Sequence, residues 1–306
     1  MRTPAPIPLA LAGGSIRTTD APDFGLSPDR ANRGDVDRPY RGVRSFALDR
    51  SSTLENCIAL VPMLLDGQFF SHVTALELHG APRMFPREVE HVSVAFPRTP
   101  PRGEGVIGHS LRRVSRVVEF GLPASDPAFA WCEAAALLST DQLIATGDAL
   151  LTGRRVDGTR EPGVTSLDEL EAAARLHAGS PGIRKLARAL SLVRAGVDSP
   201  RETFTRLLLL RGGLPEPAVD VPIEVAGGLV LHSDLGYPEL RIAIEYDGDG
   251  HRTSRQQWQR DVERYELMRE AGWTVIRVTA ETLDRDPQRL VARVRVAIES
   301  RRAFHA

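Results

Sequence analysis

The stretch from Ser233 to His251 constrains this chain more than any other. Pro238 suits a turn, because its ring holds φ near the value a turn needs. A two-residue turn at Pro238-Glu239 sets Tyr237 opposite Leu240, and strand side chains alternate between faces. One face of the hairpin then carries Leu231, Leu235, Ile242, Ile244 and Tyr246, and the other carries His232, Asp234, Glu245 and Asp247. A one-residue slip would mix apolar with acidic, so the pattern itself specifies the pairing. Three carboxylates on one face repel each other unless a cation sits among them, and such an oxygen-rich cluster suits Mg²⁺ or Mn²⁺. The plain alternative is a solvated hairpin face.

At 306 residues the chain has room for two or three domains. Its net charge of −1 does not exclude nucleic acid, because local basic patches matter more than the total. The basic residues are arginines except for Lys185. Cys57 and Cys132 lie far apart in apolar contexts, which reads as buried thiols of a cytoplasmic protein, not as a disulfide or zinc framework. No segment approaches the roughly 18 apolar residues of a membrane span.

Four regions follow along the chain. Residues 1–20 lack an apolar period and read as extended or disordered. Residues 21–110 read as a winged-helix-like and mixed α/β region. Ser27-Pro28 starts a short helix that Gly34 stops, and 37–44 is a basic extended segment that suits a wing. Arg30, Arg33 and Arg41, with Arg38 and Arg44, are placed to meet phosphates or to form an ordinary basic loop. Helices are expected over 53–65, with a break at Pro62, and over 71–78, and strands over 92–96 and 114–120. Residues 111–195 read as mostly helical, over 128–138, 140–151, 166–177 and 183–192, with a polar glycine-rich loop at 153–163. Residues 196–306 read as helix, three strands, helix, strand, helix, which makes a mixed sheet flanked by helices.

Within this last region lie Glu202, Ser233-Asp234, Ile244-Glu245-Tyr246-Asp247-Gly248 with His251, Arg260-Asp261 with Arg264, and Gly272-Trp273-Thr274-Val275-Ile276-Arg277-Val278. Together they resemble a family of actinobacterial proteins allied to very-short-patch-repair endonucleases, within the PD-(D/E)xK superfamily. The resemblance covers 196–306. Residues 22–44 resemble, less specifically, the degraded winged helix of AbiEi-type antitoxins. The stretch 131–151, with Gly147-Asp148-Ala149-Leu150, is similar to the middle of the same actinobacterial proteins.

The resemblance implies a restriction-endonuclease-like α/β fold and a metal-dependent DNA endonuclease. Asp234 matches the aspartate that bridges to the metal, and Glu245 the (D/E) position. Asp247 stands where the superfamily has its lysine, a departure from the pattern. His251, with a pKa near neutrality, is the candidate to replace that lysine as base or phosphate contact. Glu202 matches a helical acidic residue of many such nucleases, although Ser199-Pro200-Arg201-Glu202 is also a helix cap. Mg²⁺ or Mn²⁺ would sit on Asp234 and Glu245, with Asp247 available to a second ion. Arg255, Arg260 and Arg264 would contact DNA phosphates, and the N-terminal region would bind DNA or a protein partner. The competing reading is a non-catalytic, antitoxin-like DNA-binding regulator with a decayed nuclease fold.

Overall fold

The computed structural model describes residues 5–86, 89–156, 159–248 and 255–305. They form two units, the first from residues up to 138 with 165–187, the second from 139–164 with 188–306. The helical middle region expected at 111–195 is therefore divided between them.

The first unit is built on a five-stranded mixed sheet in the order Val106–Leu111, Glu90–Ala95, Phe69–Phe70, Leu122–Ser125, Arg116–Glu119. Helix His72–Leu78 packs on helix Pro127–Ala134, which packs on Leu167–Leu176. The helix expected over 53–65 runs from Thr53 to Leu60 and tightens into a 3-10 turn that contains Pro62. The N-terminal expectations need correction. Residues 5–20 are not loose. Strand Gly14–Arg17 pairs with Val43–Phe46, and Leu11 and Ile16 are buried with Leu26, Val36 and Phe46. Two large apolar side chains suffice there, Leu11 presented by a 3-10 turn at Leu9–Leu11 and Ile16 by the paired strand. The helix at Pro28–Ala31 is a single turn, too short for the recognition helix of a winged helix. The expected wing ends in a buried strand. Arg44 is inside, donating to the carbonyls of Ala31 at 2.9 Å and Val43 at 2.8 Å.

The second unit begins with α1 (Thr140–Leu151), followed by β1 (Thr152–Val156) and β2 (Thr159–Pro162). This hairpin replaces the loop expected at 153–163. Its strands pair Thr152 with Pro162, Arg155 with Arg160 and Val156 with Thr159, with an irregularity between Thr152 and Arg155 that breaks any simple alternation. There follow α2 (Pro200–Arg211), β3 (Ala218–Glu224), β4 (Val230–Tyr237), β5 (Ile242–Asp247), α3 (Arg255–Glu270), β6 (Thr274–Thr279), α4 (Ala280–Arg285) and α5 (Pro287–His305). The sheet order is β3-β4-β5-β6, antiparallel except for the β5–β6 pair, which α3 connects. This is the expected meander, crossover helix and further strand.

Helices cover both faces of that sheet. Leu209 of α2 and Leu290, Val291, Val294 and Ile298 of α5 pack on Leu235, Tyr237, Ile242, Ile244, Ile276 and Val278. Tyr265 and Met268 of α3 pack on Ile223, Val225 and Ala243 of the other face. Asp148 explains why the Gly147-Asp148 motif sits in α1. Its carboxylate accepts from Arg206 of α2 at 2.9 Å, from Thr203 at 2.8 Å and from the Arg194 amide at 2.6 Å. Arg206, fully buried, also donates to Glu216 at 2.7 Å and to the Leu192 carbonyl at 2.8 Å. Among the described residues no helix is long and apolar enough to cross a membrane.

Candidate active site

Alternation along β5 sends Ile242 and Ile244 into the core under α2 and α5, and Ala243, Glu245 and Asp247 to the side that α3 covers. The turn before β5 is longer than a two-residue turn. A 3-10 turn at Pro238–Leu240 plus Arg241, at φ 49°, places Tyr237 opposite Ile242. The register thus moves by two residues, an even number, so every β5 side chain keeps its expected face. The acidic face is not solvated. Glu245 is 5% exposed, because α3 lies over it. Arg264 of α3 donates to Glu245 Oε2 at 3.0 Å and also to the His232 carbonyl. Glu245 Oε1 is buried and has no hydrogen-bond partner among the described residues.

Asp234 reaches the same place by a break in the ladder. The β3–β4 pairing runs from Val219↔Leu235 to Val221↔Ser233 and omits Asp220 and Asp234, and Asp220 has φ +50°. Across this irregularity the alternation is lost. Leu231 packs with Ile223 and Ala243, not on the Ile242–Ile244 face expected of it. The β4–β5 ladder also stops at Leu235↔Ile244, and the Asp234 carboxylate takes over by accepting the Tyr246 amide at 2.7 Å. Burial, then the charges of Glu245 and Glu202, hold the Asp234 carboxyl well above the usual carboxylate range. The repulsion expected of clustered carboxylates is therefore present.

Glu202 serves two roles. It caps α2, accepting the Asp198 amide at 2.9 Å and the Ser199 hydroxyl at 2.8 Å. It also lines a cavity of about 470 Å³ with Asp234, Asp198, His232 and Arg264. Burial, opposed in part by these hydrogen bonds, pushes its pKa up to about 7, and nearby Asp198 and Glu245 add to the rise.

The three carboxylates expected to share one metal region are divided. Asp234 and Glu245 influence each other, whereas Asp247 is drawn to Arg277 of β6, which also lies over the Tyr265 ring. Among the described residues, Asp234, Glu245 and Asp247 do not make a trio with ligand atoms all within 4.8 Å. His251, and the side chains of Arg255 and Arg260, lie outside the described residues. Arg264 does reach the site. Arg30 does not face solvent as a phosphate contact would. It is 8% exposed, donates to Asp35 at 3.0 Å through both terminal nitrogens and to the Ala5 carbonyl at 2.6 Å, and so ties the N-terminal strand region together. Arg33 and Arg41 remain exposed.

Sequence reasoning missed the rim. Arg155 of β1 pairs with Asp220 and lines the cavity. Arg160 of β2 donates to Asp198 at 2.7 Å and lies 3.3 Å from Asp220, and His232 Nδ1 is 2.9 Å from Asp220. The sequence offered no clear signal for it, because Gly153 and the irregularity between Thr152 and Arg155 interrupt the strand pattern.

The chemistry of the donors, all carboxylate oxygens, is that of a hard divalent ion, although among the described residues no three of them bring ligand atoms within 4.8 Å of one another. Glu245 Oε1 is an orphaned buried oxygen, and Asp234 and Glu202 crowd negative charge beside it.

Residues 226–298 match the family model described as REase_MTES_1575, restriction-endonuclease-like. The match spans Asp234, Glu245, Asp247 and Arg264 and leaves out Glu202. Two Mycobacterium tuberculosis proteins are similar to the chain, the uncharacterized proteins MT2308 of strain CDC 1551 / Oshkosh and Rv2248 of strain ATCC 25618 / H37Rv. Each is 30% identical over 188 residues, 61% of this chain and 64% of its own length. The chain thus spans less than two thirds of the curated relatives it matches.

Proposed function

We propose that the second unit is a metal-dependent DNA endonuclease acting in the cytoplasm, with the pocket around Asp234, Glu245 and Glu202 as its catalytic centre. The observation that carries the reading is the unpartnered Glu245 Oε1 beside an Asp234 carboxyl raised by its acidic neighbours. Structural carboxylates are normally satisfied, and a buried oxygen left bare costs about 1–3 kcal/mol unless something occupies it. A bound Mg²⁺ or Mn²⁺ would supply Lewis acidity to a phosphoryl oxygen and acidify a water.

Asp234 and Glu245 would hold that ion, with Asp234 oriented by the Tyr246 amide. Glu202, titrating near neutrality at the cavity wall, is suited to take a proton from the attacking water. Arg264 fills the cationic role left open where Asp247 replaces lysine. A guanidinium stays protonated, so it stabilises charge on the phosphorane oxygens and does not act as a base. Arg155 and Arg160 at the rim would meet the DNA backbone. The buried, unbridged thiols of Cys57 and Cys132 suit a reducing compartment.

The second reading, a DNA-binding regulator that no longer cuts, is favoured by one observation. Asp247 is engaged by Arg277, and Lys185, far from this pocket in sequence, donates to the Leu138 carbonyl at 2.6 Å in the first unit. Incubation of the full chain with supercoiled, mismatched and single-stranded DNA, with and without Mg²⁺ or Mn²⁺, tests the two. Metal-dependent nicking that is lost in Asp234→Asn and Glu245→Gln supports the nuclease. DNA binding with no nicking under any metal supports the regulator.

A further inference from the structure

We propose that His72, His91 and His109 form a second and chemically different metal site, in the first unit, for a first-row transition ion such as Zn²⁺. Nitrogen atoms of these three side chains all lie within 4.8 Å of one another, the only such group of three His, Cys, Asp or Glu residues among the described residues. Three separate elements deliver them. His72 opens helix His72–Leu78, His91 sits in strand Glu90–Ala95, and His109 sits in the parallel neighbour Val106–Leu111. Their rings are close, with centroids 3.8 Å apart for His72 and His109 and 5.1 Å for His91 and His109.

The ordinary reading is a buried hydrogen-bonded trio, and His91 Nδ1 does lie 2.9 Å from His109 Nε2. That contact needs one proton between two nitrogens, the place a metal ion takes when it replaces the proton. An ion held at roughly 2.0–2.1 Å from each nitrogen spaces its ligands only slightly wider than this contact. Small ring rotations would therefore complete the site.

Two further features favour a ligand over simple packing. His72 holds φ +53°, a conformation strained for a non-glycine residue that persists only where the surroundings impose it. The surroundings here are specific. Its amide donates to Glu133 Oε2 at 3.0 Å, and its ring Nδ1 lies 2.9 Å from the Ser71 hydroxyl, which is bonded to Ser93 at 2.6 Å. Pinning Nδ1 in this way orients the ring and leaves Nε2 for an ion, the arrangement that commonly supports metal-bound histidines. Secondly, His72 and His109 line a cavity of about 550 Å³ with Glu133 and Cys132. With two of the three imidazoles facing this space, an ion held there would keep a coordination position open to water or substrate.

The ligand chemistry separates this site from the carboxylate pocket. Imidazole nitrogens select Zn²⁺, Co²⁺, Ni²⁺ or Cu²⁺ and bind Mg²⁺ poorly. Burial holds the His72 and His109 rings below the usual imidazole range. Cys132 is held as a thiol by burial and is not counted as a ligand.

Co²⁺ tests the site, because its visible absorption reports both binding and geometry. The chelator-treated full chain should bind a single Co²⁺ with an intense d–d band, displaced by Zn²⁺ and unaffected by excess Mg²⁺. His109→Gln, at a half-buried position that tolerates change, and His91→Gln should each weaken binding by roughly tenfold or more. Asp234→Asn should leave the band unchanged, so failure here is distinct from failure of the nuclease reading. Absence of a stoichiometric band, or a band that survives in the folded His109→Gln chain, overturns the proposal.

Discussion

Asp148 and Glu245 are both buried carboxylates of the second unit facing an arginine, and their surroundings differ in one respect. Asp148 accepts from a guanidinium, a hydroxyl and a backbone amide, and its partner Arg206 has further acceptors of its own. Glu245 has one arginine, Arg264, and an oxygen with no partner, while Asp234 and Glu202 add like charge nearby. The first assembly balances its charges, leaving only Arg206 Nε without an acceptor, and joins two helices. The second gathers like charge beside a cavity, which the proposed ion would offset. A buried ion pair alone says little about function, whereas a buried carboxylate group with a deficit does.

The largest effect should come from breaking the balanced assembly. Asp148→Asn takes from Arg206 the fully buried one of its two carboxylates and leaves only Glu216, and unfolding in urea should show a loss of about 3–5 kcal/mol. A loss under about 1 kcal/mol would erase the contrast, since the surface value applies to pairs that do not matter. The next effect is pH-dependent. The folded pKa of Glu202 is about 7, above its ordinary 4.5, so folding favours the protonated form. Its contribution is fully present below about pH 4.5 and is lost as pH rises through 7. The stability of the wild type relative to Glu202→Gln should fall across that window by about 2–3 kcal/mol, at ~1.4 kcal/mol per unit. A flat difference would mean that Glu202 is only a helix cap.

Arg264→Met tests the deficit from the other side. It leaves Glu245 without its cation and should cost roughly 1–3 kcal/mol in metal-free buffer. Divalent metal should restore more stability to this variant than to the wild type, and equal restoration in both would place the ion elsewhere. The smallest stability effects belong to the rim. Arg155→Ala and Arg160→Ala should change folding by less than about 1 kcal/mol. Each should lower the slope of log affinity for DNA against log salt by roughly 0.7–0.9, and an unchanged slope would remove the rim from the DNA path.

Much of the site's side of the sheet could be read from sequence, because parity alone assigns faces. The turn at Pro238 proved longer than expected, yet Ile244 and Glu245 kept their sides, since a two-residue change preserves parity. Leu231 was misassigned because a positive φ at Asp220, on the neighbouring strand, accompanies a break in the ladder that no local pattern announces. That the acidic face lies beneath α3 was equally hidden, since covering it takes a helix placed by tertiary packing. Glu202 could be read as a cap, but its exposure to the cavity depends on where α2 begins relative to β4. Asp148 carried a recognisable motif and no reason for it, because its partner Arg206 lies on a separate helix far along the chain. Arg30 looked available for phosphate only until Asp35 and the Ala5 carbonyl claimed it.

Thermal melts of the wild type and Asp234→Asn, each with and without Mg²⁺ or Mn²⁺, test the central claim most directly. A metal site in this pocket predicts that the ion stabilises the wild type, by ~2.7 kcal/mol at a hundredfold excess over its dissociation constant. It also predicts that Asp234→Asn abolishes the gain while leaving the metal-free fold as stable or slightly more so, because a repelling charge has been removed. No metal-induced shift in the wild type, together with a clear loss of stability in Asp234→Asn, would contradict the account and make Asp234 a structural residue.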